Sequence, residues 1–290
     1  MKLSKLAKRN IISVGPGDSF DKAICLMEEH HIHHLPVMND GNLVGMLSDR
    51  DLLMAVGWKL EVDRTVDSSE PSVVGPTEIQ EIMSKPALYL APDNEAHTAI
   101  RMMVEGKFHA FPLIHGGILV GMVTSTDILS GYCDKGHNPT VHSRLQERVG
   151  DRMRVNVRTV GLREPLHVAA RILREEHIRH LPVTSDDKLL GIISDRDIRR
   201  ACGEETIEDD KAQARGEFYI GATSVIQVMS KKVETISEDA TLIEANRKMV
   251  DRQVSCLPVT RDDRLVGILT DSDLLRLIAQ IDEEDEHRQA

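Results

Sequence analysis

The sequence predicts an α/β protein made of four β-α-β-β-α units packed as two pairs. Two observations predict it: a fourfold internal repeat, and a switch between strand-like and helix-like apolar periods inside each copy. LPVMNDGNLVGMLSDRD, from Leu35 to Asp51, recurs as FPLIHGGILVGMVTSTD from Phe111, LPVTSDDKLLGIISDRD from Leu181 and LPVTRDDRLVGILTDSD from Leu257. Pro36, Pro112, Pro182 and Pro258 each stand nine residues before a glycine: Gly45, Gly121, Gly191 and Gly267. A hydroxyl follows at a fixed step (Ser48, Thr124, Ser194, Thr270), then an aspartate (Asp51, Asp127, Asp197, Asp273). Upstream, without a gap, Ala23, Ala99, Ala169 and Ala245 share one column, and Ser13, Tyr89, Thr159 and Thr235 another. The copies therefore run over about 3–57, 79–133, 149–203 and 225–279.

Copies one and three are the most alike. They share His-Ile-x-His-Leu-Pro-Val (His31 to Val37, His177 to Val183) and Ser-Asp-Arg-Asp (Ser48 to Asp51, Ser194 to Asp197). Gly57 and Gly75 also fall in register with Gly203 and Gly221, so the unit last duplicated was a pair. The expected organisation is a first pair over 1–137, a linker over 138–146, a second pair over 147–283 and an acidic tail over 284–290. A chain of 290 residues can hold two such domains, each burying a core.

Within a copy the elements follow in order. Ile11, Ile12 and Val14 form an apolar run closed by Gly15-Pro16-Gly17, which reads as a strand entering a tight turn. Asp18 or Ser19 then offers a helix N-cap, and Phe20, Ala23, Ile24 and Met27 have the spacing of a helix with one buried face. The third copy repeats that face with Leu166, Ala169, Ala170 and Leu173. Leu35 to Met38 and Leu43 to Leu47 are β-type runs separated by Asn39-Asp40-Gly41-Asn42, a hairpin composition. A second helix starts near Asp49. A sheet this small is not stable alone, so two copies should pack face to face.

Composition excludes several classes. There are 36 basic and 47 acidic residues, a formal charge of −11, and no basic stripe, which argues against nucleic acid as a principal partner. Cys25, Cys133, Cys202 and Cys256 lie far apart without a CxxC pair, as expected of a reducing cytoplasm. Lys2, Lys5, Lys8 and Arg9 are not followed by an apolar stretch, and no run reaches the ~18 residues of a membrane span, so a soluble, unprocessed protein without membrane contact is expected. No nucleophile elbow, P-loop or dinucleotide fingerprint appears, and no catalytic constellation is expected.

Two readings compete for the Ser/Thr-x-x-Asp column. It has the spacing of a capping box, which would make it a purely structural device. The same geometry brings a glycine and then a hydroxyl to a helix N-terminus, where free N–H groups and the positive dipole end favour an anion. An Asp one turn on can accept hydrogen bonds from both hydroxyls of a ribose, and all four copies use Asp where a cap would equally accept Glu or Gln.

On these residues the repeats resemble cystathionine-β-synthase-type (CBS) domains, whose signature Gly-hydrophobic-x-Ser/Thr-x-x-Asp stands in every copy. The resemblance covers nearly the whole chain outside the linkers and tail. It implies two Bateman modules, each a pseudo-twofold pair, with up to four clefts for an adenosine-containing ligand: AMP, ADP, ATP or S-adenosylmethionine. By that resemblance Asp51, Asp127, Asp197 and Asp273 hold ribose, and Ser48, Thr124, Ser194 and Thr270 approach phosphate. Ser13, Tyr89, Thr159 and Thr235 would then lie near the base. Basic residues before the LP proline face phosphate in the family; here these are His33, His34, His109, Arg179 and His180, while the fourth copy has Ser255 and Cys256 instead. The implied function is a non-catalytic sensor read by an unidentified regulated protein, with the chain forming a homodimer. A ligand-free interaction scaffold is the alternative. The cluster His30-His31-Ile32-His33-His34 invites a metal, but it crosses from a helix end into a strand and has no local Cys or carboxylate to complete a set, so no metal site is expected. The run Asp282 to Glu286 reads as a solvated, frayed helix end.

Overall fold

The computed structural model describes residues 1–61, 78–132, 138–203 and 223–289, with side chains omitted for 56–61, 202–203 and 285–289. Gly75, Cys133, Gly136 and Gly221, and the side chain of Cys202, lie outside the described residues. The first repeat comprises α1 (Phe20–Glu29), β1 (His34–Asn39), β2 (Asn42–Ser48) and α2 (Asp49–Glu61). The second comprises α3 (Ala96–Gly106), β3 (Ala110–His115), β4 (Ile118–Thr124) and α4 (Ser125–Tyr132). A short helix α5 (Pro139–Arg144) leads into the third, with β5 (Val160–Gly161), α6 (Leu166–Glu175), β6 (His180–Ser185), β7 (Lys188–Ser194) and α7 (Asp195–Gly203). The fourth holds α8 (Val225–Val228), β8 (Ile236–Ser237), α9 (Leu242–Arg252), β9 (Cys256–Arg261), β10 (Arg264–Thr270) and α10 (Asp271–Gln289).

The local chemistry explains the boundaries. Ser19 caps α1 by accepting the Lys22 N–H at 3.3 Å, and the expected face is buried, with Ala23 and Met27 inside and Phe20 and Ile24 packed beside them. Asp40 and Gly41 both have positive φ (49° and 79°), which lets a two-residue turn follow the strand twist and join β1 to β2 antiparallel. The strand expected over Ile11 to Val14 is shorter: only Val14 bridges β1, in parallel, through two hydrogen bonds of 2.8 and 3.1 Å. Downstream the Asp18 carboxylate takes the Gly15 N–H at 2.7 Å and turns the chain out of the sheet. Upstream, Lys8 pairs with Met122 of the next repeat, so the segment divides its backbone hydrogen bonds between two sheets.

That exchange organises each pair. The backbone of Lys8 pairs with Met122, Ser84 with Met46, Arg154 with Ile268 and Ser230 with Ile192, each through two hydrogen bonds of 2.8 to 3.2 Å. Leu3, fully buried, belongs to the apolar cluster of the second repeat rather than the first. In the second pair β7 also touches β10 through Lys188 and Arg264, giving the order β5-β6-β7-β10-β9-β8, whereas β1-β2 and β3-β4 stay separate.

The two pairs meet through their helices: α2 lies against α7, and α10 against α3 and α4, with α9 also on α4. The largest apolar cluster crosses that boundary, joining Phe111, Ile128 and Leu129 of the second repeat to Ile243, Leu274 and Ile278 of the fourth. Repeats one and three keep smaller clusters, with Leu53 of α2 packed against that of repeat three. Residues 138–146 are not a bare linker, since Val141 and Leu145 of the α5 region are buried in the shared cluster. The acidic run forms the continuous end of α10, where Glu284 faces Arg144 at 3.7 Å. No described helix is long and apolar enough to cross a membrane.

Candidate functional site

Each repeat ends its second hairpin strand on the hydroxyl residue and starts a helix at the next one, so the Ser/Thr and Asp of the shared column sit at four helix N-termini. In all four the aspartate carboxylate accepts from the hydroxyl residue, and in the first three the reciprocal bond closes a capping box. Asp51 Oδ2 accepts the Ser48 N–H at 2.7 Å and its Oγ–H at 2.6 Å, while the Asp51 N–H returns to Ser48 Oγ at 3.3 Å. Asp127 does the same for Thr124 (2.9 and 2.6 Å, with a return of 3.3 Å) and Asp197 for Ser194 (2.8 and 2.6 Å, with a return of 3.4 Å), while Asp273 accepts from Thr270 N–H and Oγ1–H at 3.0 and 2.7 Å. The cap therefore engages Oδ2 alone and leaves Oδ1 for another partner.

The residue after each hydroxyl, Asp49, Ser125, Asp195 or Asp271, faces the middle of the molecule, where the residues preceding the LP prolines also converge. Asp271 is 2% exposed. It receives Ser125 Oγ–H at 2.8 Å from the second repeat, Arg179 at 3.2 Å from the third, and lies 3.6 Å from His109 Nδ1. Burial works to raise its pKa, but Arg179, His109 and Ser125 together hold the carboxyl well below its ordinary value. Asp49 faces His33 Nδ1 at 2.9 Å, Arg199 Nε at 3.4 Å and Arg196 Nε at 3.8 Å. Burial opposes its ionisation too, yet these neighbours lower its pKa. Arg196 also reaches His33 at 2.7 Å and Arg50 reaches His177 at 2.9 Å, so repeats one and three exchange arginines.

His34 and His180 lie in the same region and share one charge state. Burial, aided by nearby cations including Arg179, pushes both down to about 3, so each is a neutral imidazole at pH 7. Of the five basic residues expected to face phosphate, the structure sets His33, His109 and Arg179 against carboxylates. The residues expected near the base sit farther out: Ser13, Tyr89 and Thr159 are exposed, and Thr235 is half-buried with its carbonyl accepting Lys248 Nζ at 2.7 Å. Among the described residues no group of three or more His, Cys, Asp or Glu side chains is placed to hold a metal. Sequence reasoning missed the central carboxylates Asp49, Asp195 and Asp271 and the arginines Arg50, Arg196 and Arg199. For Asp49, Arg50, Asp195 and Arg196 the signal was present in the twofold Ser-Asp-Arg-Asp, which puts three charged residues in succession on the first turn of a helix; Asp271 and Arg199 lie outside it.

The model of the CBS domain family matches residues 3–57, 79–133, 149–204 and 225–280. This chain belongs to the CBS domain family. A curated relative over the full length is the uncharacterized protein MJ1225 of Methanocaldococcus jannaschii, 25% identical over 287 residues, covering 96% of this chain and 99% of that protein. Its crystal structure, put forward as that of an archaeal homologue of γ-AMPK, superposes with a TM-score of 0.80 at 24% identity, covering 96% of this chain and all (100%) of the other. An uncharacterized conserved protein of Pyrococcus horikoshii shares the fold at a TM-score of 0.61 and 20% identity, over 96% of this chain and 100% of that one. These structural likenesses, at 24% and 20% identity, are likenesses of fold over nearly the whole chain.

Proposed function

We propose that this four-repeat CBS protein is a non-catalytic regulatory protein that binds an adenosine-containing ligand between its repeats. Binding biases how the two pairs sit together, and a partner protein reads the change. The observation that carries the reading is the division of labour on the column aspartates: the cap needs only Oδ2, and Oδ1 of Asp51 and of Asp197 has no partner among the described residues. A carboxylate cap carries a second oxygen, and here that oxygen stands at the mouth of a helix N-terminus. A ribose diol uses it.

Charge favours a short phosphate chain. Arg179, Arg196 and Arg199 already face Asp271 and Asp49, so a nucleotide's phosphates share these cations with buried carboxylates, which suits AMP or ADP better than ATP. S-adenosylmethionine, which brings no phosphate, is the fourth probe. The place of action we propose is the cytoplasm, in keeping with the free thiols of Cys25 and Cys256. A homodimer, the further partner relation proposed, would use a surface outside the α2/α7 and α4/α10 contacts, which lie within one chain.

The test is calorimetric titration of the purified chain with AMP, ADP, ATP and S-adenosylmethionine at fixed salt, repeated on Asp197→Ala. The expected result is binding weakened by roughly 1.5 to 3 kcal/mol at that cleft, the scale of hydrogen bonds to a charged group. Silence with all four compounds, with a loss of thermal stability as the only effect of Asp197→Ala, would replace this reading with the ligand-free scaffold.

A further inference from the structure

We infer that Lys8 and Arg154 decide which clefts admit a ligand: they close the ribose positions of repeats two and four and leave those of repeats one and three open. The inference rests on the proposed reading of the column aspartates and says how many of them serve it.

The four cross-repeat bridges fix one residue of an incoming segment beside each strand that leads into a column aspartate. The backbone anchors are alike, with both hydrogen bonds formed between Lys8 and Met122, Arg154 and Ile268, Ser84 and Met46, and Ser230 and Ile192. The side chains at that register differ. Lys8 Nζ reaches Asp127 Oδ1 at 3.3 Å. Arg154 places Nε and Nη2 on Asp273 Oδ1 at 2.9 and 2.6 Å, and Arg276 adds a third contact to that oxygen at 3.2 Å. With Oδ2 held by the cap, neither Asp127 nor Asp273 has an oxygen without a partner, and their side chains are 11% and 9% exposed. Ser84 and Ser230 occupy the same register beside repeats one and three. They bring no cation, and Oδ1 of Asp51 and of Asp197 stays unengaged among the described residues.

The pattern follows the pairing of the molecule. Each pair carries one cation and one serine at this register, so each offers one closed and one open position. The closing side chains are themselves largely in water, 70% exposed for Lys8 and 50% for Arg154, so replacing them removes the ion pair without opening a core. Serine is the fitting replacement because the same bridge already accommodates it twice.

The experiment is titration with AMP, and with S-adenosylmethionine, of the wild-type chain, Asp51→Ala, Asp197→Ala, Asp127→Ala, Asp273→Ala and the double variant Lys8→Ser with Arg154→Ser. The wild type is expected to take two equivalents. Asp51→Ala and Asp197→Ala should each weaken one of them by about 10- to 100-fold, the range set by one or two charged hydrogen bonds, while Asp127→Ala and Asp273→Ala leave both. The double variant should gain a site at Asp127, and adding Arg276→Ala, which removes the remaining cation from Asp273 Oδ1, should gain the second. Four equivalents in the wild type, loss of a site in Asp127→Ala or Asp273→Ala, or weaker binding in the double variant would overturn the inference while leaving the ligand-binding function standing. Silence of every variant toward both compounds would overturn the two together.

Discussion

Burial pushes the Asp195 carboxyl up to about 7, against the pull of Arg50 and Arg179 and with a small push from Asp49. The residue is 8% exposed, and among the described residues no hydrogen bond reaches its side chain. A carboxyl whose folded pKa stands above its unfolded value binds an extra proton on folding, so stability is highest below the unfolded pKa and falls as pH rises toward 7. Asp195→Asn removes that dependence. Relative to wild type the variant should gain about 2 to 3 kcal/mol in chemical denaturation between pH 5 and pH 8, the integral of a shift of this size. An unchanged difference between the two pH values would show that Asp195 is ionised in the folded state. The chemistry contrasts with Asp271, whose three partners keep it charged at the same depth, so the position after the hydroxyl carries two opposite solutions in one molecule.

At the scale of elements, the glycine of each repeat lies where the incoming segment crosses the strand. A Cβ on Gly191 would stand 2.6 Å from Met229 Sδ and 3.0 Å from the Ser230 carbonyl oxygen, and that carbonyl accepts the Ile192 N–H that holds the bridge. Gly191→Ala should therefore lower thermal stability by about 1 to 3 kcal/mol, as overpacking does. Gly17, with nothing within 4 Å of a built Cβ, is the control, and Gly17→Ala should be neutral or slightly stabilising. Equal effects of the two would mean that backbone freedom, not close approach, sets the column. The glycine column, the apolar helix faces and the Asn39 to Asn42 turn were legible in the sequence because each depends on residues a few positions apart. The hydroxyl and aspartate column was legible for the same reason, and its capping geometry follows from the spacing alone. The shortened first strand was not, because Lys8 and Val14 serve different sheets and only the folded pair decides that. Nor were the partners of Oδ1: no local pattern says that Lys8 meets Asp127 or that Arg154 meets Asp273.

Across the whole molecule the two helical seams between the pairs differ in kind. Repeats two and four are joined by a continuous apolar cluster, within which Asn246, fully buried, donates its Nδ2–H to the Leu129 carbonyl at 3.0 Å and fixes α9 against α4. Repeats one and three meet largely through polar contacts: Arg196 and Arg199 of α7 on Asp49, Arg196 on His33, Arg50 of α2 on His177, and Arg199 on Glu28 at 3.4 Å, with Leu53 of α2 alongside on the apolar cluster of repeat three. Apolar contacts are exchanged for nothing when a nucleotide arrives, whereas arginines shared with a carboxylate can be redirected to a phosphate. The unengaged oxygens of Asp51 and Asp197 also belong to repeats one and three, so the proposed ligand positions and the polar seam coincide. A ligand shifts an arrangement only by binding one state better than another, and on this proposal the differential contact lies on one side of the molecule. AMP should therefore change amide hydrogen exchange in α2 and α7 and leave α4, α9 and the first turns of α10 as they were, so that the pairs move about the apolar seam. Hydrogen exchange read by mass spectrometry, with and without AMP, separates the outcomes: equal changes at both seams would mean that neither seam serves as the hinge, and changes confined to α4 and α10 would place the hinge on the polar side.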